Sequence, residues 1–478
     1  MKYPEDFINK IICTDCREGM RDILDGSIDL MVTDPPYGYA FMQRNWDKAL
    51  VNMGTWRECL RVLKPGAFAF IMCAPRQDVL SRQIINLEEA GFITGFTSLY
   101  WAYASGFPKA SNIGKMVDKR LGVERENGIK VPRHYPDQQH WGKPTSRNII
   151  APFTPGGKYE GEIEIAMKEI TIPATPQAKV LDGSYSGFQP KPAVEVILVV
   201  MKPLSEKTYM EQALKNRKGI TWLDKGRIPY KGKNDFIISH HNKQLKEKDK
   251  STGMFGATNG FGLLESNISQ GRFPANLLVS DDVLNDGNKH SSKHTRLRER
   301  FKQYRQRSNI YMDTNKMLNW KNIYYDSGSF SRYFDLDKWW VEKIKQLPES
   351  VQKTFPFLIV PKASKTEKNR GCEKLEEKAR ANINKMMGEA GNFKTGSGNV
   401  RTVKFKNHHP TVKPIKLMSY LIILGSRTND IILDPFVGSG TTCIAAKMLN
   451  RRYIGFDNDG GYVEIARSRV RAIEAVLI

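Results

Sequence analysis

Cysteine is scarce in this chain, six among 478 residues, which excludes a disulfide framework and fits a reducing compartment. Long apolar runs are missing. Stretches such as Ala67–Ala74 and Val194–Val200 are strand-sized, far short of the roughly 18 to 20 consecutive apolar residues of a membrane span, so no membrane partner is expected. The opening MKYPEDFINK is acidic and carries no apolar core, so a secretory signal is not expected either. Acidic residues are in deficit, 51 Asp+Glu against 74 Lys+Arg, a formal charge of +23. Such an excess suits a polyanion, nucleic acid first, although a general solubility role gives the same total. With 40% hydrophobic and 10% aromatic residues, wholesale disorder is excluded and a core of two or three domain equivalents is within reach. Neither an internal repeat nor a sustained heptad pattern is present.

Alternating strands and helices are expected at both ends. Ile28–Thr33 reads as a strand stopped by Asp34-Pro35-Pro36-Tyr37, because two prolines neither continue a ladder nor enter a helix interior. Trp56–Leu63 has helical spacing, Lys64-Pro65-Gly66 breaks it, and Ala67–Cys73 reads as a buried strand. Near the other end, Ile431–Leu433 is a strand reaching Asp434, Gly438-Ser439-Gly440 a tight turn and Thr441–Leu449 a helix. Arg452–Phe456 is then a strand reaching Asp457, and Tyr462–Leu477 a closing helix. A doubly wound sheet needs one more strand after that helix, and Lys10–Thr14, leading to Asp15, can supply it. The two ends are therefore expected to build one α/β sheet around a central insertion. Pro190–Val200 adds a buried strand, while Ala110–Lys179 and much of 206–354 read as loop-rich.

Two motifs carry chemistry. Asp434-Pro435-Phe436-Val437-Gly438-Ser439-Gly440-Thr441 is a strand–turn–helix in which glycines let a ligand approach the backbone, and Asp457 ends the next strand where an acid can hold ribose hydroxyls. GxGxxG is not completed, so a nucleoside ligand without a pyrophosphate fits better than a dinucleotide; an ordinary glycine-bearing turn also stays open at this point. Asp34-Pro35-Pro36-Tyr37 is sharper. The exocyclic amine of a nucleobase is a poor nucleophile, its lone pair being delocalised into the ring. The Asp34 carboxylate and the Pro35 carbonyl can accept its two N–H groups and localise that pair, Pro36 stiffens the turn, and Tyr37 offers a face for a base taken out of its helix.

Taken together with Leu63-Lys64-Pro65-Gly66, Trp101–Lys109 and His409-Pro410-Thr411-Val412-Lys413-Pro414, these motifs resemble the β class of S-adenosylmethionine-dependent DNA amino-methyltransferases, in which the DPPY motif precedes the glycine-rich one. Pro192-Ala193-x-Glu195 and Gly271–Asn276 are similar to segments of phage and prophage members. The resemblance covers residues 1 to about 120, 187–205 and 355–478. It implies a Rossmann-like doubly wound methyltransferase sheet, circularly permuted and built from both chain ends, with a large basic central insertion. Its implied divisions are 1–120 for the catalytic half, 121–186 for a loop-rich insertion, 187–205 for a return to the core, 206–354 for target recognition and 355–478 for the cofactor half. Asp34, Pro35, Pro36 and Tyr37 would be catalytic. Asp434, Phe436, Gly438, Gly440 and Thr441 would line S-adenosyl-L-methionine, with Asp457 on its ribose, Asp15 and Cys16 near its adenine, and His409, Thr411 and Lys413 near its methionine part. The substrate would be the N6 amine of a flipped adenine in double-stranded DNA, since DPPY is more usual for adenine and SPPY for cytosine N4. Cytosine N4 is the alternative, and a catalytically idle DNA-binding protein on the same fold is another. An idle protein should have lost Asp34 or the glycine turn, and both are intact. A homodimer, a cognate restriction endonuclease and a cytoplasmic setting in a bacterial or phage-infected cell are what the resemblance admits.

Weaker signals point elsewhere. Cys13-x-x-Cys16 has no second Cys or His pair nearby, so no metal site is expected. His290 and His294 stand in a basic tract without Cys partners. Trp339-Trp340 and Tyr324-Tyr325 either fill a small core or stack on bases, with the core favoured.

The charge itself is unevenly placed. Residues 1–108 carry 11 Lys/Arg and 13 Asp/Glu, and 417–478 carry 7 and 6, so the two ends are near neutral and +24 lies in 109–416. The tract Lys289–Arg307 alone has eight basic residues against one acid, and Lys289, Lys293, Arg296, Arg298 and Arg300 are the candidate phosphate contacts. Neutralising these five is expected to weaken duplex binding and to flatten its salt dependence, by about one slope unit per lost phosphate contact. Salt-titrated binding isotherms check this; unchanged slopes would move the DNA path elsewhere.

Overall fold

A computed structural model describes residues 2–38, 49–103, 110–132, 167–188, 193–229, 271–279, 290–291, 327–328, 334–347, 365–379, 392–394, 400–402 and 404–477. They fall into two compact units, one of residues 1–105, 193–382 and 404–478, the other of 106–192 and 383–403.

The larger unit is built on an eight-stranded sheet. Its strands are β1 (Lys10–Cys13), β2 (Leu30–Thr33), β3 (Phe68–Cys73), β4 (Leu99–Ala102), β5 (Val194–Met201), β6 (Leu277–Val279), β7 (Ile431–Asp434) and β8 (Arg452–Asp457). Their spatial order is β1-β8-β7-β2-β3-β5-β4-β6. The first five are mutually parallel, and β5 runs antiparallel between β3 and β4. As expected from sequence, the N-terminal run completes the C-terminal half: Lys10 pairs with Ile454 and Cys13 with Asp457. Leu30 and Met31 pair with Ile432 and Leu433, joining the halves across some four hundred residues of chain. This is the permuted strand order of a Rossmann-like methyltransferase fold.

Both faces of the sheet are covered, as continuous apolar strands require. Alternate residues divide between them. Leu30, Val32, Phe68, Phe70 and Met72 enter one core cluster, while Met31, Ala69, Ile71 and Cys73 enter the other. The second cluster is closed by helices α1 (Cys16–Met20), α2 (Met53–Val62) and α3 (Gln77–Glu89). The first is closed by α4 (Leu336–Ile344), α5 (Ile415–Gly425), α6 (Thr441–Met448) and α7 (Gly460–Leu477). All eleven residues of α5 are buried, because a helix apolar all round must be covered all round. Its one cation, Lys416, pairs with Asp337 of α4.

Parts of the polar 206–354 stretch belong to this core. A helix over Tyr209–Asn216 starts from a capping box of Thr208 and Glu211, β6 extends the sheet, and α4 is capped by Asp335. Trp339 and Trp340 are buried, Trp339 packing edge-on to Tyr420 with centroids 4.8 Å apart. The described residues of the smaller unit include regular elements within a stretch that reads as loop-rich. Helices Ile113–Arg120 and Pro176–Val180 accompany an antiparallel ladder of Asn127–Pro132 with Met167–Thr171. Buried Asp118 ties it together, accepting from Arg125 Nε at 2.6 Å and Thr175 Oγ1 at 2.7 Å. Among the described residues no helix is long and apolar enough to cross a membrane.

Trp340 is fully buried in the larger unit's core. Trp340→Ala is expected to cost about 3–5 kcal/mol, read from urea unfolding midpoints. A loss under about 1 kcal/mol would mean that α4 does not close the core.

Candidate active site

The carboxyl ends of β2, β7 and β8 lie side by side, and each ends in or just before an aspartate. Thr33, the last residue of β2, donates its hydroxyl to Asp434 Oδ1 at 2.7 Å. That single bond ties the proline turn to the glycine turn. The same Asp434 oxygen accepts the Phe436 N–H at 3.1 Å, and Phe436 packs edge-on to Trp56.

Asp457 holds the glycine turn from β8: its Oδ2 accepts the Gly438 N–H and its Oδ1 the Asp459 N–H, both at 2.9 Å. Gly438 and Gly440 have φ of +49° and +82°. A Cβ on Gly438 would lie 2.7 Å from His409 Nε2, and one on Gly440 2.9 Å from the Ala466 side chain, so neither position tolerates another residue without movement. Arg469, which no sequence signal distinguished among the arginines of α7, is buried with Nη1 on the Ser439 carbonyl at 2.5 Å and on Thr441 Oγ1 at 3.3 Å. Burial pushes the Asp457 carboxyl up to about 6. His409 Nδ1 meets the Thr411 carbonyl at 2.5 Å, and burial lowers the imidazole to about 3, so the ring is neutral.

Asp15 caps α1, accepting the Arg17 N–H at 2.8 Å, and Thr14 N–H donates to the Asp457 carbonyl at 3.0 Å, which brings Asp15 and Cys16 beside the β8 acid. Cys16 is buried and its thiol is raised to about 12 by that burial. Cys13 is exposed. Among the described residues, no group of three or more His, Cys, Asp or Glu is placed to hold a metal.

Around Asp34 the structure gathers residues from three separate stretches. The Tyr37 hydroxyl donates to Asp34 Oδ1 at 2.5 Å. Lys413 Nζ lies 2.8 Å from Asp34 Oδ2 and 3.0 Å from Glu195 Oε2. Tyr103 donates to Glu195 Oε1 at 3.4 Å. Desolvation alone would lower the Lys413 ammonium, but the two carboxylates hold it well above the ordinary lysine range. Lys413 thus sits on the proline-turn acid. Pro35 is buried. The candidates Lys289, Lys293, Arg296, Arg298 and Arg300, and Tyr324-Tyr325, lie outside the described residues.

A family model described as DNA methylase, of the N6/N4 type, matches residues 184–468. The chain belongs to the DNA methylase family. Relatives of this chain include the type II methyltransferase M2.DpnII of Streptococcus pneumoniae, 47% identical over 78 residues, 16% of this chain and 29% of the relative. Another is M.HinfI of Haemophilus influenzae, 40% identical over 80 residues, 17% of this chain and 22% of the relative. The matched stretches therefore span less than a third of these relatives' lengths. Among solved structures, the M1.HpyAVI–SAM complex aligns over 96% of this chain and 98% of its own at a TM-score of 0.32 and 13% identity. The cytosine-N4-specific PvuII DNA methyltransferase aligns over 96% and 85% at 0.35 and 14%.

Burial raises the Asp434 carboxyl from 3.8 to about 6, against the hydrogen bond from Thr33. A carboxyl raised on folding binds its proton more tightly in the folded than in the unfolded chain. Its contribution to stability therefore grows as pH falls through about 6 and is complete below about 4. Asp434→Asn is expected to gain stability relative to wild type above pH 6, by at most about 3 kcal/mol, with the gain vanishing towards pH 4. Urea unfolding from about pH 4 to 8 checks this; a difference independent of pH would contradict it.

Proposed function

We propose that this chain transfers a methyl group from S-adenosyl-L-methionine to the exocyclic N6 amine of adenine in duplex DNA. The observation that carries the reading is the hydrogen bond from Thr33 to Asp434, which fixes the amine-orienting turn beside the cofactor turn. The glycine turn suits the cofactor. Asp457 uses one lone pair of each carboxylate oxygen on backbone N–H groups and keeps others for two ribose hydroxyls. Asp434 faces the same turn as an acid that favours a nearby cation. Phe436, Gly438, Gly440 and Thr441 line the cofactor, Asp15 and Cys16 border its adenine, and His409 and Thr411 border its methionine part. When bound, the cofactor would supply a methyl carbon made electrophilic by a positively charged sulfur; the amine nitrogen would bond to that carbon, the sulfur would keep the electron pair of the broken carbon–sulfur bond, and the methylated amine would give up one N–H proton to solvent.

The remaining work falls to the proline turn. Asp34 and the Pro35 carbonyl accept the two N–H groups of the amine, which localises its lone pair and aims it. Tyr37 stacks on the base. The base must leave the helix, because a paired, stacked adenine does not present its amine. Asp at position 34, where Ser is more usual for cytosine, favours adenine, while the same acceptors would serve the N4 amine of cytosine. Residues 206–354, with their excess of positive charge, supply target recognition.

Asp34→Ala is expected to reduce methyl incorporation into unmethylated duplex DNA by at least roughly a hundredfold while cofactor affinity changes little. Nucleoside analysis of the product separates N6-methyladenine from N4-methylcytosine, and structured RNA as the competing substrate tests the polymer. Retained activity in the variant would overturn the role of Asp34.

A further inference from the structure

Both oxygens of Asp34 are engaged, Oδ1 by the Tyr37 hydroxyl and Oδ2 by the Lys413 ammonium. Each oxygen keeps a further lone pair, so an amine that donates an N–H to Asp34 joins these two donors or takes the place of one. Lys413 is the more consequential. Positive charge develops on the amine nitrogen as its new bond forms, and an ammonium left on the same carboxylate opposes that charge. Glu195 offers the ammonium a second anion 3.0 Å away. Its position follows from topology. The antiparallel β5 begins at the edge of the sheet where β2 and β3 end, with Val196 paired to Cys73 and Glu195 paired to Trp101 of β4.

The tyrosines, the thiol and the imidazole facing this cluster are uncharged near neutral pH. Burial raises the Tyr37 and Tyr103 hydroxyls above their ordinary value and the Cys73 thiol to about 12, and it keeps His409 neutral. Asp434 adds a further carboxylate beyond Asp34. Lys413 therefore answers to two anions at contact distance. With one of them removed, the buried ammonium has the other as its anion at contact distance.

We propose that Glu195 is a positioning residue for the transfer: Lys413 bridges Asp34 and Glu195 before the target base enters, then pairs with Glu195 alone as the amine takes its place on Asp34 Oδ2. This rests on the proposed methyl-transfer function. Tyr103 steadies Glu195 through its hydroxyl. The ammonium shifts between carboxylates and no covalent bond changes.

The test uses the full chain with E195Q, K413M and the double variant. In E195Q the ammonium has Asp34 as its anion at contact distance, and kcat on duplex DNA should fall roughly tenfold or more with cofactor and DNA affinity near wild type. Removing the lysine as well should make E195Q/K413M faster than E195Q, an outcome that a merely structural glutamate does not give. Nitrogen-15 spectra of labelled lysine side chains supply a readout independent of activity and also report folding. The Lys413 signal, assigned from K413M, should shift in both E195Q and D34N. An unshifted signal in E195Q, a wild-type rate in E195Q, or a double variant no faster than E195Q would overturn the proposal. Inert wild-type protein with both shifts present would instead overturn the methyl-transfer reading and leave the shared ion pair standing.

Discussion

The parallel pairing of Leu30 and Met31 with Ile432 and Leu433 is the contact on which the rest of the molecule depends. It is short, two register pairs, and it closes a loop of some four hundred residues. Such closure is costly in chain entropy but grows only logarithmically with length, so the apolar burial on both faces can offset it. Once made, it sets the ends of β2 and β7 together, and Thr33 fastens Asp434 at that edge. The glycine turn, the proline turn and the Lys413 strand-edge cluster then occupy one end of the sheet, the carboxyl edge where α/β folds gather their ligands.

That edge is acidic and the middle of the sequence is basic, and the two facts belong together. Asp34, Glu195, Asp434 and Asp457 converge on it, with Lys413 as the cation at contact distance between the first two. Burial makes the carboxylates at 434 and 457 reluctant to ionise, so a cationic ligand there relieves a cost that the fold carries without it. The same negative edge would repel a phosphate backbone. Under the proposed function, the positive charge that the sequence places between its two near-neutral ends would supply what that edge lacks.

Sequence was most informative where a local rule had no rival. Two prolines after an apolar run had to end a strand, and Asp457 had to sit at the end of one. The placement of Lys10–Cys13 beside β8 followed from the strand missing at the C-terminus. Lys413 was harder: its motif gave a neighbourhood, but a four-carbon side chain can turn to either acid, and the choice depends on Glu195, more than two hundred residues away in sequence. Arg469 was invisible because a helix with several arginines does not say which one faces inward. The polar stretch 206–354 hid its helices for another reason. Their signals, the Thr208–Glu211 box and the Asp335 cap, are local and were diluted by a composition that reads as loop.

The most direct test of the account is to incubate the protein with S-adenosyl-L-methionine and unmethylated genomic DNA and to sequence the product for modified bases. N6-methyladenine is expected at one recurring sequence context, absent without cofactor and absent with Asp34→Ala. Unmodified DNA, or methylation confined to cytosine N4, would contradict it.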